Sequence, residues 1–158
     1  MVRRFLYLFF LKSHREIMTE SCVFCRIVSG EEPAHIIDED ELSMAILDIN
    51  PLAKGHCLVI PKRHVPWWHD LDEQEISSLF RLARSVSERI KRAFGPDFVA
   101  MYARGRRIPH THIFLVPTYK GDPVDRFFNA LEGFQESSAI MASLRNELKE
   151  TAEILRSV

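Results

Sequence analysis

Two histidines one residue apart, in the run Arg107-Ile108-Pro109-His110-Thr111-His112-Ile113-Phe114-Leu115-Val116-Pro117, are the side chains best placed to do chemistry. The stretch is β-branched and apolar with a proline near each end, which predicts a strand from about His110 to Val116 whose side chains alternate between faces. His110, His112 and Phe114 then share a face, with successive side chains about 7 Å apart. Two imidazoles so spaced can lie along one phosphate-sized ligand. A neutral imidazole near pH 7 can attack phosphorus and leave again, dividing a displacement into two easier steps through a phosphoryl- or nucleotidyl-histidine. His112 is the expected nucleophile. Donors for the developing charge are available in His56 and in the basic cluster Arg104, Arg106 and Arg107, since a guanidinium binds phosphate oxygens in pairs. Taken singly, these groups read more plainly as sheet histidines and a solvated turn.

A second constellation begins at Cys22-Val23-Phe24-Cys25, which has the spacing of a metal-ligand pair. A structural zinc takes four soft or borderline ligands in a tetrahedron, commonly two from a tight Cys-x-x-Cys turn and two from elsewhere. His64, after the strand end at Pro61-Lys62-Arg63, and His110, at the opening of the histidine strand, are the expected second pair. Unmetallated thiols packed under a sheet and a redox disulfide are the alternatives at this point. The chain lacks the βαβ context of a thiol oxidoreductase.

The elements that must position these groups follow from pattern. Ala34 to Ile37 reads as a short extended stretch before an acidic turn, Asp38 to Glu41. Leu42 to Ile49 and His56 to Pro61 read as strands joined by the Pro/Gly connection Asn50-Pro51-Leu52-Ala53-Lys54-Gly55. Asp72 with Glu75 three residues on is a capping-box pattern. Ile76, Leu79, Phe80, Ala83, Val86, Ile90 and Phe94 then recur at helical spacing until Gly95-Pro96. Phe98 to Ala103 reads as a further strand, while Val124 to Phe134 and Ser138 to Leu155 read as helices. The expected fold class is α+β: about five antiparallel strands covered on one side by a long helix, with helices at the C-terminus from about residue 123.

The chain has 158 residues, 46% hydrophobic and 27% charged, with a net charge of -1, which fits one domain over 18–158 and gives no reason to expect a nucleic-acid surface. Three cysteines argue for a reducing compartment, with the cytoplasm the default. Residues 1–17 read as an N-terminal extension with Met18 an alternative start. Val2-Arg3-Arg4 before Phe5 to Leu11 has the charge order of a secretory signal, but the apolar run is far short of the about 20 residues a membrane span needs.

At these motifs the chain resembles the histidine triad family, nucleotide-binding hydrolases and transferases whose signature is His-x-His-x-His followed by apolar residues. The resemblance runs from residue 22 to about 120. Cys22-x-x-Cys25 resembles the paired cysteines of the family's zinc-binding bacterial branch, and Leu47-Asp48-Ile49 its ribose-binding strand end. Lys54-Gly55-His56-Cys57-Leu58-Val59-Ile60-Pro61-Lys62-Arg63-His64 is similar to its Gly-His…Val-Ile-Pro-Lys-x-His segment. The resemblance implies that His112 accepts the nucleotidyl group, that His56 neighbours the α-phosphate and that Asp48 holds the ribose hydroxyls. It also implies that Phe24, Ile27, Ile46 and Ile49 line the base pocket, and that Cys22, Cys25, His64 and His110 hold a structural Zn²⁺. A homodimer through Gln74 to Phe94 and Phe98 to Ala103, a purine nucleotide conjugate as ligand and no stable membrane insertion complete the expectation.

Two departures stand out. Phe114 occupies the third histidine's place and can neither donate a proton nor bind a phosphate oxygen. The loop before His110, Tyr102-Ala103-Arg104-Gly105-Arg106-Arg107-Ile108, has no Asn, Gln or Ser, so Arg106 or Arg107 is expected to replace neutral phosphate contacts with charge and favour a polyphosphate-linked nucleotide. The expected function is hydrolysis or nucleotidyl transfer at the α-phosphate; the rival reading is a nucleotide-binding protein with little catalysis.

Overall fold

The computed structural model of the protein describes residues 22–103, 107–137 and 144–158. The extension 1–17, Arg104, Arg106 and the expected helix start at Ser138 lie outside these. The described residues up to Thr118 form one compact unit and those from Tyr119 a second.

In the first unit, α1 (Val23–Ser29) precedes β1 (Ile36–Glu39), β2 (Ser43–Leu47) and β3 (Cys57–Pro61). A 3₁₀ turn, Trp68–Asp70, leads into α2 (Glu73–Phe94), and β4 (Phe98–Ala103) and β5 (Ile113–Thr118) follow. The five strands lie in the order β1-β2-β3-β5-β4 with antiparallel neighbours, an α+β architecture. Helix α1 was not anticipated from the sequence. Its apolar residues Val23, Phe24, Ile27 and Val28 recur at helical spacing, and it closes on Gly30, whose positive φ of 79° and N–H bond to the Ile27 carbonyl form a left-handed cap.

Strand β2 stops at Leu47, short of the expected Ile49, because the Asp48 carboxylate accepts the Asn50 N–H at 2.7 Å and turns the chain. At the other end, Asp40 accepts the N–H groups of Leu42 and Ser43, so the acidic turn begins after Glu39 and β1 runs into it.

Period-two alternation sorts the sheet's two faces. Ala45, Cys57, Val59, Ile113 and Leu115 face α2 and pack with its Leu79, Leu82, Ala83, Val86 and Ile90. Met44, Ile46, Leu58 and Ile60 point the other way and pack against Phe24 of α1, so the second face is partly covered too. Helix α2 starts with the expected capping box between Asp72 and Glu75. Its buried stripe includes Leu82, whereas Phe80 and Phe94, expected to recur on the same apolar stripe, are 40% and 37% exposed. Phe80 is one residue and hence about 100° around the helix from Leu79, which takes the inward position.

In the second unit, α3 (Pro123–Ser137) opens with proline in its first turn and with Asp122 accepting the Asp125 N–H at 2.8 Å; α4 (Leu148–Arg156) follows. Among the described residues, no helix is long and apolar enough to cross a membrane.

The turn before β3 depends on Gly55, whose φ is +91° and whose added Cβ would lie 2.4 Å from the Phe94 ring. Gly55→Ala is expected to lower stability by about 1–2 kcal/mol from the left-handed backbone alone, with a further loss from the ring contact. Urea melts of Gly55→Ala with and without Phe94→Ala separate the two costs; a wild-type midpoint in Gly55→Ala would show that the turn relaxes freely.

Candidate active site

Both histidines of the His-x-His run lie just before β5, not within it. Strand pairing starts at Ile113 because the preceding backbone is committed elsewhere: His110 N–H bonds to the Ile108 carbonyl at 2.8 Å and Thr111 N–H to the Val65 carbonyl at 2.7 Å. At its far end β5 runs on through Pro117 to Thr118, where only β4 pairs with it, β3 having ended its pairing at Leu115. The face relation between His112 and Phe114 survives, with ring centroids 4.9 Å apart.

On the sheet face opposite α2 lies a cavity of about 500 Å³. Phe24 and Ile27 come to it from α1, and Ile46, Asp48 and Ile49 from β2 and the turn after it. His56 stands at the head of β3, Arg107 in the loop before β5, and His112 at the mouth of β5. Ile49 is 87% exposed and so forms rim, not floor. The described part of the expected ligand-binding set thus lines a single cavity, in which apolar walls surround a few polar groups. Arg106 lies outside the described residues.

Hydrogen bonds assign the protons. The Nδ1 of His112 lies 2.7 Å from the His110 carbonyl, which only accepts, so Nδ1 carries the hydrogen and Nε2 the lone pair. His56 has the opposite tautomer: its Nδ1 accepts the Leu52 N–H at 3.2 Å, which leaves the hydrogen on Nε2. That Nε2 is buried without a hydrogen-bond partner; the Asp48 carboxylate, at 3.6 Å, is beyond bonding distance. Burial pushes the His56 pKa below its ordinary value, and the Asp48 charge offsets this only in part. The site therefore holds one imidazole lone pair and one neutral N–H donor.

Phe114 sits among these groups, stacked on Tyr102 at 4.6 Å between centroids with the rings 13° apart, and 5.7 Å from His56. Tyr102 and the Leu52 backbone were missed at the level of sequence. Strand register carried the signal for Tyr102, because Tyr102 pairs with Phe114 across β4 and β5 and must share its face. A backbone donor such as Leu52 leaves no trace in residue type.

Beside the cavity, Cys22, Cys25, His64 and His110 converge, their ligand atoms all within 4.8 Å of one another. Nδ1 of His64 is 3.2 Å from Cys25 Sγ, and Nδ1 of His110 is 3.5 and 3.6 Å from the two thiols. A tetrahedron with arms of about 2.0–2.3 Å has edges of about 3.3–3.8 Å, so the donor set fits such an ion. His110 donates through Nε2 to the Pro61 carbonyl at 2.8 Å, which turns its other nitrogen toward the thiols. Burial, with Cys22 adding to it, pushes the Cys25 thiol up to about 12, far from the depressed value of a reactive dithiol.

The described unit is thus a five-stranded antiparallel α+β fold carrying a paired-histidine site and a Cys₂His₂ cluster. The HIT domain matches residues 29–121, and the chain belongs to this family. It is 36% identical over 102 residues, 61% of this chain and 74% of the relative, to an adenosine 5'-monophosphoramidase of Schizosaccharomyces pombe. It is 34% identical over 116 residues to an adenylylsulfatase of Arabidopsis thaliana, covering 70% of this chain and 59% of that protein. Among solved structures it is similar to a zinc-bound histidine triad family protein from Mycobacterium smegmatis, with a TM-score of 0.61, 32% identity, and coverage of 66% of this chain and 80% of that one.

Metal analysis of the purified chain is expected to find a single divalent ion bound by the cluster, and Cys25→Ser to lower its retention by on the order of 10-fold or more. Protein that neither carries a metal nor takes up added zinc would show that the four groups only pack together.

Proposed function

We propose that this protein is a hydrolase or nucleotidyl transferase that cleaves a purine nucleotide conjugate at the α-phosphate through a nucleotidyl-histidine on His112. The observation that carries the reading is the His112 Nδ1 to His110 carbonyl bond, which leaves an imidazole lone pair on a residue lining the cavity. Attack by Nε2 forms the N–P bond while the bond to the leaving group breaks, and water later takes the nucleotidyl group from the histidine. The unpartnered Nε2–H of His56 suits a phosphate oxygen, whose charge grows in the transition state. Asp48 suits the ribose, since a carboxylate accepts from both hydroxyls, and Phe24, Ile27, Ile46 and Ile49 supply an apolar lining for the base. Arg107, with Arg106 beside it in sequence, adds positive charge suited to a polyphosphate leaving group.

The cluster of Cys22, Cys25, His64 and His110 is read as a structural Zn²⁺ site. These four residues would hold the ion and so tie the start of α1 to the segments after β3 and before β5, a structural role. The chain is read as a homodimer: β4 ends the sheet, and its Phe98 and Met101 are 43% and 54% exposed, as is Phe80 of α2 to 40%. Three unpaired cysteines suit a reducing compartment, and the cytoplasm is the proposed location.

One observation favours the second reading, a nucleotide-binding protein with little catalysis. The third position of the His-x-His-x-x run is a phenyl ring packed on aromatic neighbours.

Release of AMP from a diadenosine polyphosphate is expected to fall by on the order of 10³-fold or more in His112→Ala, with nucleotide affinity largely kept. Binding without turnover in wild type and variant alike would favour the second reading. Arg107→Ala and Arg106→Ala are each expected to weaken affinity for a dinucleoside polyphosphate severalfold at low salt, with the difference shrinking as salt rises. Affinities unchanged at low salt would remove the arginines from the site.

A further inference from the structure

We propose, on the reading that His112 is the nucleophile, that this site acts on nucleotide anhydrides, whose leaving group departs as a stable anion, in preference to phosphoramidates of basic amines. The two classes differ in one proton. When His112 Nε2 bonds to the phosphorus of an anhydride, the P–O bond breaks with its electron pair on oxygen, and the phosphate, sulfate or carboxylate leaves without a proton. When the leaving atom is an amine nitrogen, the same electron pair would produce an amide anion, too basic to form in water. A proton must then reach nitrogen in the same step.

Among the described lining residues, no imidazole, carboxyl or guanidinium is set to supply it. Asp48, His56, Tyr102, Arg107 and His112 are the described lining residues that carry ionisable groups. Arg107 does not release a proton in a protein, and a carboxylate at Asp48 only accepts. His56 holds one hydrogen, on Nε2, and giving it up would leave an imidazolate. A second hydrogen on Nδ1 would break the bond from the Leu52 N–H. Burial opposes that charge as well. His56 is therefore a neutral donor that can hold an oxygen but cannot hand over a proton. The hydrogen of His112 is on Nδ1, bonded to the His110 carbonyl, and its other nitrogen is used in the attack. Phe114, in van der Waals reach of both imidazoles, has none. The Tyr102 phenol is the one remaining group, and its ring lies flat on Phe114.

The test uses full-length protein and conjugates that share one adenylyl group: a diadenosine polyphosphate, adenylyl sulfate, and adenosine phosphoramidates of amines of increasing basicity. The wild type is expected to hydrolyse the anhydrides with kcat/KM on the order of 10²–10⁴-fold above the alkyl phosphoramidate, and to slow steeply along the amine series. Phe114→His is expected to raise the phosphoramidate-to-anhydride ratio by on the order of 10²-fold. Comparable wild-type rates on the two classes, or a flat amine series, would overturn the inference, and the series alone decides if Phe114→His does not fold. Efficient phosphoramidate cleavage that collapses in Tyr102→Phe would overturn it by making the phenol the acid. Wild type that binds AMP but turns over no conjugate would instead defeat the nucleophile reading, and this inference with it.

Discussion

His110 is the residue through which the rest of the site is held. It is fully buried, and each of its polar atoms is engaged. Its N–H bonds to Ile108, its Nε2 donates to Pro61 at the end of β3, its Nδ1 faces Cys22 and Cys25, and its carbonyl accepts the Nδ1–H of His112. The last of these bonds decides which nitrogen of His112 carries its lone pair. A buried polar side chain is tolerated only when its bonding capacity is met, so the segment 109–112 has little freedom to adopt another path. The Cys₂His₂ cluster and His112 are thereby two ends of one bonded unit.

The sheet sets where that unit faces. Because side chains alternate, one register shift would exchange the wall of the cavity for the surface that packs on α2. Pairing of Cys57 with Leu115 and of Tyr102 with Phe114 fixes the parity. It sends Leu115 into the α2 core and puts Phe114 on the cavity side. Helix α2 is tied to the same frame by polar bonds as well as by Leu79 and Val86. Glu75 is buried, receives both nitrogens of the Arg63 fork and caps Asp72, and hydrogen bonding to Arg63 holds its carboxyl below the usual range. Ser78 hydrogen-bonds to Asp40 and Ser43 at the start of β2, beside the end of β3 from which Arg63 follows. Arg63 immediately precedes His64, so the anchor on α2 also steadies one arm of the cluster.

Much of this frame is legible in the residue string. Strand β4 runs over the expected Phe98 to Ala103, and the Asp72-Glu75 box and Gly95 bound α2 as anticipated. These are local signals in which propensity, pattern and turn chemistry agree. The departures share a cause in long-range bonding. His110 and Thr111 look like strand residues but are claimed by Ile108 and Val65. Phe80 was placed on the helical stripe, yet it lies about 100° around α2 from the buried Leu79, and the stripe runs through Leu82 instead. The four cluster residues were readable because metal-like spacing is a side-chain property. The tautomers of His56 and His112 were not, since they depend on backbone groups that every residue possesses.

The same backbone control leaves one deliberate imperfection. A buried donor without a partner costs about 1–3 kcal/mol, and His56 Nε2–H is such a donor. Rotating the ring to satisfy it would forfeit the Leu52 bond, and Asp48 is too far away to accept, so the cost stays in the free protein. Any ligand that brings an oxygen to this point recovers that energy on binding. An oxygen whose negative charge increases during reaction recovers more, because the donor is already oriented and needs no reorganisation. The turn from Asn50 to Gly55 thus does more than connect two strands. By presenting the Leu52 N–H to Nδ1, it holds His56 as a neutral imidazole whose remaining hydrogen, on Nε2, is left free to donate.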